Sequence, residues 1–239
     1  MQMLPNTIRL RPGTQIQSGQ ITLQVQRDPQ SPQPRVTGVV KTSDLVAVNE
    51  GRQIRWDKPI SASFAVSQSP QGPQLEQLTC TADFLKLEGA GSLAGGQATF
   101  QGDLNRLMTE LDKVVDLPEL QMAGTLAGQI DWKHGQGDQW GGQTTVNLKN
   151  FVLQSPGMQP WQEKDLSLTA IVDGLVGAEG LQQINVGTAT IVSGNDRCDA
   201  RLTKPVAAPF ETAAWPVSWK VTGSLASWLA RLQPVAPLK

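Results

Sequence analysis

The only histidine, His134, lies in DWKHGQGDQWGG, and the densest polar cluster is GNDRCDARL, which brings Asp196, Arg197, Cys198 and Asp199 into four consecutive positions. An imidazole can act as a general base or metal ligand, paired carboxylates can hold a cation, and a thiol can be a nucleophile. Neither segment has the companions such chemistry needs. His134 has no second histidine and no nearby cysteine, so it reads as a solvated loop residue. Arg197 stands among the carboxylates and EF-hand spacing is absent, so GNDRCDARL reads as a solvated turn. The glycine-rich GAGSLAGG at 89–96 runs into QATFQGDL rather than Gly-Lys-Ser/Thr and reads as a turn, not a phosphate cradle. Cys80 and Cys198 allow one disulfide but lack CxxC spacing and read as unpaired. With no nucleophile and base pattern, the chain is expected not to be an enzyme, and no cofactor or metal is implied.

Composition narrows the partners. Lys plus Arg number 20 against 21 for Asp plus Glu, a net charge of -1, so the field needed to hold a nucleic acid is absent. No stretch approaches the ~20 apolar residues of a membrane span, and MQMLPNTIRLRPG has no apolar signal-peptide core. Seven Trp without Tyr is unusual: Trp56 and Trp161 precede KPIS and KDLS and suggest a structural plug, whereas an exposed row of Trp would suit a carbohydrate.

The elements that must position these residues are mostly strands. Alternation of period two runs through Ile21, Leu23 and Val25; Ile60, Ala62, Phe64 and Val66; Leu78, Cys80, Ala82 and Phe84; and Leu126, Ile130 and Trp132. It continues through Leu166, Leu168, Ala170 and Val172; Ile184 and Val186; and Val217, Trp219 and Val221. About a dozen strands fit, separated by Gly, Pro and Asn turns, with QRDPQSPQPRV and SQSPQGPQ as loops. Two helices interrupt them. Asp103 caps one over 103–115, with Leu104, Leu107, Met108, Leu111 and Val115 on its apolar face. Ser224 caps the other over 225–232, with Leu225, Trp228, Leu229 and Leu232.

These pieces recur in order. DLV at 44 matches NFV at 150, KPISASFAV at 58 matches KDLSLTAIV at 164, and LEQLTCTA at 75 matches LQQINVGT at 181, all offset by 106. The helices are offset by 121, Gly102 against Gly223, so about 15 residues are inserted near GNDRCDARLTKPVAAPF. Leu4 and Pro5 pair with Leu117 and Pro118 at the restarts. The expected fold is therefore all-β and mainly antiparallel with two short helices, an elongated curved sheet built from two repeats, 1–116 and 117–239. The helix is expected to cover a sheet edge or the apolar face.

Gly102, Leu104, Leu107, Gly124, Leu126, Gly128 and NFVLQ, spread over both copies, give the chain a resemblance to the AsmA-like and TamB-like proteins of diderm bacterial envelopes. The resemblance implies a gutter-shaped β-groove with an apolar interior, belonging to a longer repeat protein of the periplasm anchored in the inner membrane by a helix that this stretch lacks. It implies as partners a phospholipid or other envelope lipid, neighbouring repeats of the same chain and outer-membrane assembly machinery, and no catalytic residue. The groove lining would comprise Leu23, Ile60, Phe64, Leu78, Leu126, Ile130, Trp132, Leu166, Leu168, Ile184, Val217 and Trp219. A dozen strands would extend roughly 55 to 60 Å across the sheet. Alternation of this kind also arises in a closed β-sandwich, for example a carbohydrate-binding module of a secreted or surface protein. The two differ in whether the apolar set stays partly uncovered or is fully buried.

Overall fold

The computed structural model describes residues 15–29, 33–49, 51–56, 58–70, 72–113, 121–154, 156, 159–177, 180–210 and 215–232. Leu4, Pro5, Val115, Leu117 and Pro118, and with them the expected boundary at 116, lie outside the described residues. In chain order the first half contains β1 (Gln15–Asp28), β2 (Arg35–Asn49), β3 (Arg52–Trp56), β4 (Ser61–Ser69), β5 (Gly72–Thr81), β6 (Leu85–Ser92), β7 (Gly95–Asp103) and helix α1 (Leu104–Asp112). The second contains β8 (Gln121–His134), β9 (Gln139–Gln154), β10 (Trp161–Gly177), β11 (Gly180–Ser193), β12 (Asp196–Leu202), β13 (Val206–Ala207), β14 (Val217–Thr222) and helix α2 (Leu225–Leu232).

All fourteen strands join one curved, unclosed sheet in which every pairing is antiparallel. Twelve of them follow one another in the path β1-β2-β4-β5-β6-β7-β8-β9-β10-β11-β12-β14, while β3 pairs with β2 and β13 with β11. Except at β2–β4 and β12–β14, where β3 and β13 lie off the path, each strand turns straight back on its predecessor. The eleven steps span roughly 53 Å. No second sheet packs against this one among the described residues.

The register converts alternation into two chemically distinct faces. One row passes through Leu23, Val40, Ala62, Cys80, Leu87 and Phe100, then Gly128, Val146, Leu168, Ile191, Cys198 and Val221, one residue from each strand of the path. A parallel row runs Val25, Gly38, Phe64, Leu78, Gly89, Ala98, Ile130, Thr144, Ala170, Ala189, Ala200 and Trp219, with Thr144 its single polar member. On the opposite face the corresponding row is Gln24, Val39, Ser63, Thr79, Glu88, Thr99, Gln129, Thr145, Thr169, Thr190, Asp199 and Lys220. An antiparallel sheet tolerates water on one face when that face is built this way.

Two bulges correct the alternation at equivalent places. Asp44 and Asn150, 106 residues apart, hold left-handed backbone at φ 52 and φ 50, a conformation Asp and Asn tolerate better than most residues. The register slips opposite them, at Gly19 in β1 and at Gly124 in β8. Gly124 has φ 114, and a Cβ there would lie 2.7 Å from the carbonyl oxygens of Lys149 and Asn150, so only glycine fits. Because the bulge consumes one residue, Leu148 and Phe151 reach the same face and join one core. A similar slip between Asp173 and Gly174 separates Ile184, 5% exposed, from Val186, 44% exposed, although simple alternation puts both on one face.

Several other expectations shift by a few residues. Ala82 and Phe84 fall beyond the end of β5, in a tight turn where the Ala82 N–H donates to the Leu85 carbonyl at 2.7 Å. GAGSLAGG is mostly strand, with only Leu93 and Ala94 between β6 and β7. The inserted stretch comprises the chain between β12 and β14, including β13, whose Val206 is buried against Ile184. GNDRCDARL is not a solvated turn: from Asp196 onward it is β12, paired on both sides, because alternating Asp196, Cys198 and Ala200 face one way and Arg197, Asp199 and Arg201 the other.

Aromatic rings lie flat across glycines of the apolar face. A Cβ at Gly128 would sit 2.5 Å from the Phe100 ring and 2.6 Å from the Thr145 carbonyl oxygen, and one at Gly38 would fall into the Phe64 ring. Trp132 spreads over Gly96 and donates its indole N–H to the Ser92 carbonyl at 2.8 Å. Substituting Gly128→Val should therefore destabilise the fold by about 1–3 kcal/mol, since the ring must leave its seat. Ala127→Val, on the polar face of the same strand, should change stability by no more than about 0.5 kcal/mol. Urea unfolding of the two variants beside the parent chain checks the difference.

Candidate functional site: the apolar face and its helices

The sheet has few fully buried residues. Among the described residues, buried apolar side chains form a short set that includes Ala47, Leu104, Met108, Phe151, Leu166 and Ile184, and no large side chain is completely enclosed. The long apolar rows are instead half-buried, or open at the margins, where Leu23 is 61% exposed and Trp219 is 66% exposed.

All twelve residues expected to line a groove share this face. Leu23, Phe64, Leu78, Ile130, Leu168 and Trp219 belong to the two rows given above. Leu126 and Leu166 flank Leu148 in the next row, Trp132 continues the alternation of β8, and Val217 pairs with Leu202. Ile60 immediately precedes β4, where its backbone carbonyl accepts from the Thr42 N–H at 2.9 Å. Ile184 reaches the face through its bulge. Two of the twelve are closed off: Leu166 is 7% exposed beneath α1 and Ile184 is 5% exposed beside Val206.

Helix α1 lies across the apolar face over β8, with Leu104 at the centre of a cluster containing Leu107, Leu126, Leu148, Phe151 and Leu166. Asp103 caps it by accepting from the Arg106 N–H at 3.0 Å. Its flank is clipped to the β5–β6 turn by Asp83, which receives Lys58 at 2.6 Å and Arg106 at 3.1 Å. These cations, Lys58 first, hold the Asp83 carboxyl below its ordinary range.

Helix α2 is tied down by charge rather than by apolar burial. The Arg231 guanidinium, whose side chain is only 11% exposed, bridges Glu163 on β10 and Asp196 on β12, the latter at 2.7 Å. Glu163 also accepts from the Ser193 hydroxyl and, at 2.7 Å, from the Trp161 indole N–H, while Asp196 accepts from the Ser224 N–H at 2.8 Å. Burial pushes the Glu163 carboxyl upward, but hydrogen bonds from Arg231, Ser193 and Trp161 outweigh it and leave the group below its usual range. The Ser224 N–H, then Arg231, depress Asp196 likewise. The Arg231 guanidinium also sits 4.9 Å from the Trp228 ring, a cation–π contact.

The remaining polar groups are dispersed over the two faces. Among the described residues no three His, Cys, Asp or Glu side chains cluster to hold a metal. His134 is exposed at the end of β8, its Nδ1 3.4 Å from the Gly135 carbonyl oxygen. Arg197 and Asp199 pair at 2.7 Å on the polar face, and Arg197, helped by the Thr190 hydroxyl, lowers the Asp199 carboxyl to about 2. Cys198 points to the other face, where burial pushes its thiol above the ordinary range. Both cysteines are free and stand in the same apolar row, seven strands apart. Of the tryptophans only Trp215 and Trp219 are exposed; Trp161 stacks edge-on against Phe151 at 5.4 Å, and Trp56 underlies Lys113 at 6.0 Å. A recess of about 460 Å³ is open and bordered by Ala82, Phe84, Leu85, Gln101 and Lys149.

No protein family, curated protein or solved structure matches the chain. Among the described residues no helix is long and apolar enough to cross a membrane, a statement that does not bear on strands.

The Arg231 clip has a defined acid response. Both carboxylates have depressed values in the fold, so their stabilisation is complete above the unfolded-state range of about 4 and is lost as pH falls from there through their lower folded-state values. Docking of α2 should therefore hold at neutral pH and fail in acid, seen as a change in Trp228 fluorescence before global unfolding by circular dichroism. Arg231→Met should show the released signal already at neutral pH.

Proposed function

We propose that the chain is a non-enzymatic segment of an envelope protein of the AsmA-like and TamB-like kind, and that its apolar face carries or shields lipid acyl chains between the two membranes of a diderm bacterium. One observation carries this reading: two apolar rows cross all twelve strands of the path, and outside the patch under α1 most of their members remain half-buried or exposed. A continuous apolar strip on a soluble sheet needs an occupant, and acyl chains suit its length and lack of polar selectivity.

The energetics favour passage over storage. Transfer of an acyl chain from water gains about 0.8 kcal/mol per methylene, whereas transfer from a bilayer interior to an apolar strip is nearly neutral. Thr144, the one polar interruption, sits at the middle of the second row and uses its hydroxyl on the Gln129 carbonyl at 3.0 Å, so it presents little polarity to a passing chain. Rings seated on glycines keep the strip low where Phe64 covers Gly38 and Phe100 covers Gly128. The periplasmic setting, the inner-membrane anchor of the parent and a role in outer-membrane biogenesis rest on the family resemblance. Neighbouring repeats and the outer-membrane assembly machinery are the protein partners it suggests.

A photoactivatable side chain at Ile130 or Leu168, with Asp131 and Ser167 as outward controls, tests the proposal in living cells. Lipid adducts by mass spectrometry at the first pair and none at the second are expected. Peptide adducts at the inward pair would replace lipid by unfolded outer-membrane strands, and clean side chains at all four positions in a folded protein would end the proposal.

A further inference from the structure

The two helices begin alike and end in different surroundings. Leu104 and Met108 of α1 are 6% and 8% exposed, whereas the residues 121 positions later, Leu225 and Leu229 of α2, are 73% and 41% exposed. The structural difference is a strand. β8 lies beside β7 and receives α1, while β14 pairs only with β12 and its other edge is open among the described residues. At the far end of the sheet β1 pairs, among the described residues, only with β2 and exposes Ile21 at 70%, Leu23 at 61% and Val25 at 54%. Long exposed edges with apolar side chains invite strand addition.

We propose that, where no neighbouring repeat of the same chain occupies these edges, β14 of one copy of this chain takes β1 of a second copy, antiparallel and in the register that β7 and β8 use within the chain. The internal junction supplies the template. The paired bulges make Gly19 the counterpart of Gly124, so β1 is the counterpart of β8 at an offset of 105, and β14 is the counterpart of β7 at 121. Within the chain Gly102 faces Leu126, Phe100 faces Gly128 and Ala98 faces Ile130. Transferred to the junction, Gly223 faces Ile21, Val221 faces Leu23 and Trp219 faces Val25.

Side-chain size is complementary at each pair. The large Phe100 against Gly128 becomes Val221 against Leu23, two medium side chains; the small Ala98 against Ile130 becomes Trp219 against Val25; and glycine against a large aliphatic is kept. Lys220, Ser218 and Thr222 fall on the polar face with Gln24, Gln26 and Thr22, so no like charges oppose one another. Both apolar rows then continue unbroken from Val221 and Trp219 into the second copy, and Ile21 comes to the start of α2, where Leu225 lacks a partner. A head-to-tail contact of this kind leaves one open edge at each end and adds copies without closing.

Cysteine pairs in the full chain, with Cys80→Ala and Cys198→Ala as background, test the register. Leu23→Cys with Val221→Cys should yield a ladder of disulfide-linked dimers, trimers and longer species on mild oxidation, since directly opposed positions meet the geometry of a disulfide. Leu23→Cys with Lys220→Cys, on opposite faces, should not. Sedimentation of the unmodified chain should rise with concentration, and Leu23→Lys should abolish that rise while leaving the circular dichroism unchanged. A monomer at every concentration, dimers that form as readily from either single cysteine alone, or equal ladders from both pairs would each overturn the proposal.

Discussion

Everything in this fold depends on strand register. A single-layer sheet has no opposing layer to bury its apolar side chains, so its integrity rests on keeping one face apolar and the other wet through eleven successive pairings. A slip of one residue in any pairing would turn a strand's apolar set into water and interrupt both rows. The register is held by hairpin order, in which each strand of the path pairs with its neighbour in sequence, and by side chains that match across strands. Phe64 over Gly38 and Phe100 over Gly128 act as such locks, because a Cβ at Gly38 would fall into the Phe64 ring and one at Gly128 would lie 2.5 Å from the Phe100 ring.

The bulges at Asp44 and Asn150 show how the same constraint is met when strands grow long. β9 and β10 have 16 and 17 residues, long enough for twist to carry their ends away from the rest of the face. One left-handed residue re-aims the remaining length so that Phe151, Leu153 and Trp161 return to the apolar side and meet α1. That local cluster is the nearest the molecule comes to an ordinary core, and it lies where the sheet passes from the first half to the second. Helix α2 stands in contrast: with no strand beyond β14 among the described residues, it rests on Arg231, Glu163 and Asp196 rather than on a neighbouring strand.

The placement of the charged side chains has a common physical origin with the face itself. Polar side chains face water on the opposite side, where Arg197 and Asp199 or Arg35 and Glu76 neutralise one another in exposed pairs. Apolar side chains occupy the other side, where a titratable group would be desolvated without a partner. Glu163 and Asp196 break this division and are the ones that recruit an arginine from α2.

What the sequence alone determined was local: period-two alternation places Leu23, Phe64, Leu78, Ile130 and Leu168 on one face of their strands, and spacing of three and four, with Asp103 ahead, marks α1. The antiparallel class followed from short Gly and Pro turns between such strands. Three things were decided only by tertiary structure. Bulges are invisible to a periodicity that assumes no extra residue, so Ile184 and Val186, alike in sequence, ended on opposite sides. GNDRCDARL looked like a turn because charge suggested solvent, yet pairing with β11 and β14 gave each of its charged residues a face. The Arg231 clip joins residues 68 and 35 positions apart, and the open edges at β1 and β14 exist only once the order of twelve strands is set. Alternation is a property of a few neighbouring residues, whereas burial and contact depend on which distant strand arrives alongside, and in what register.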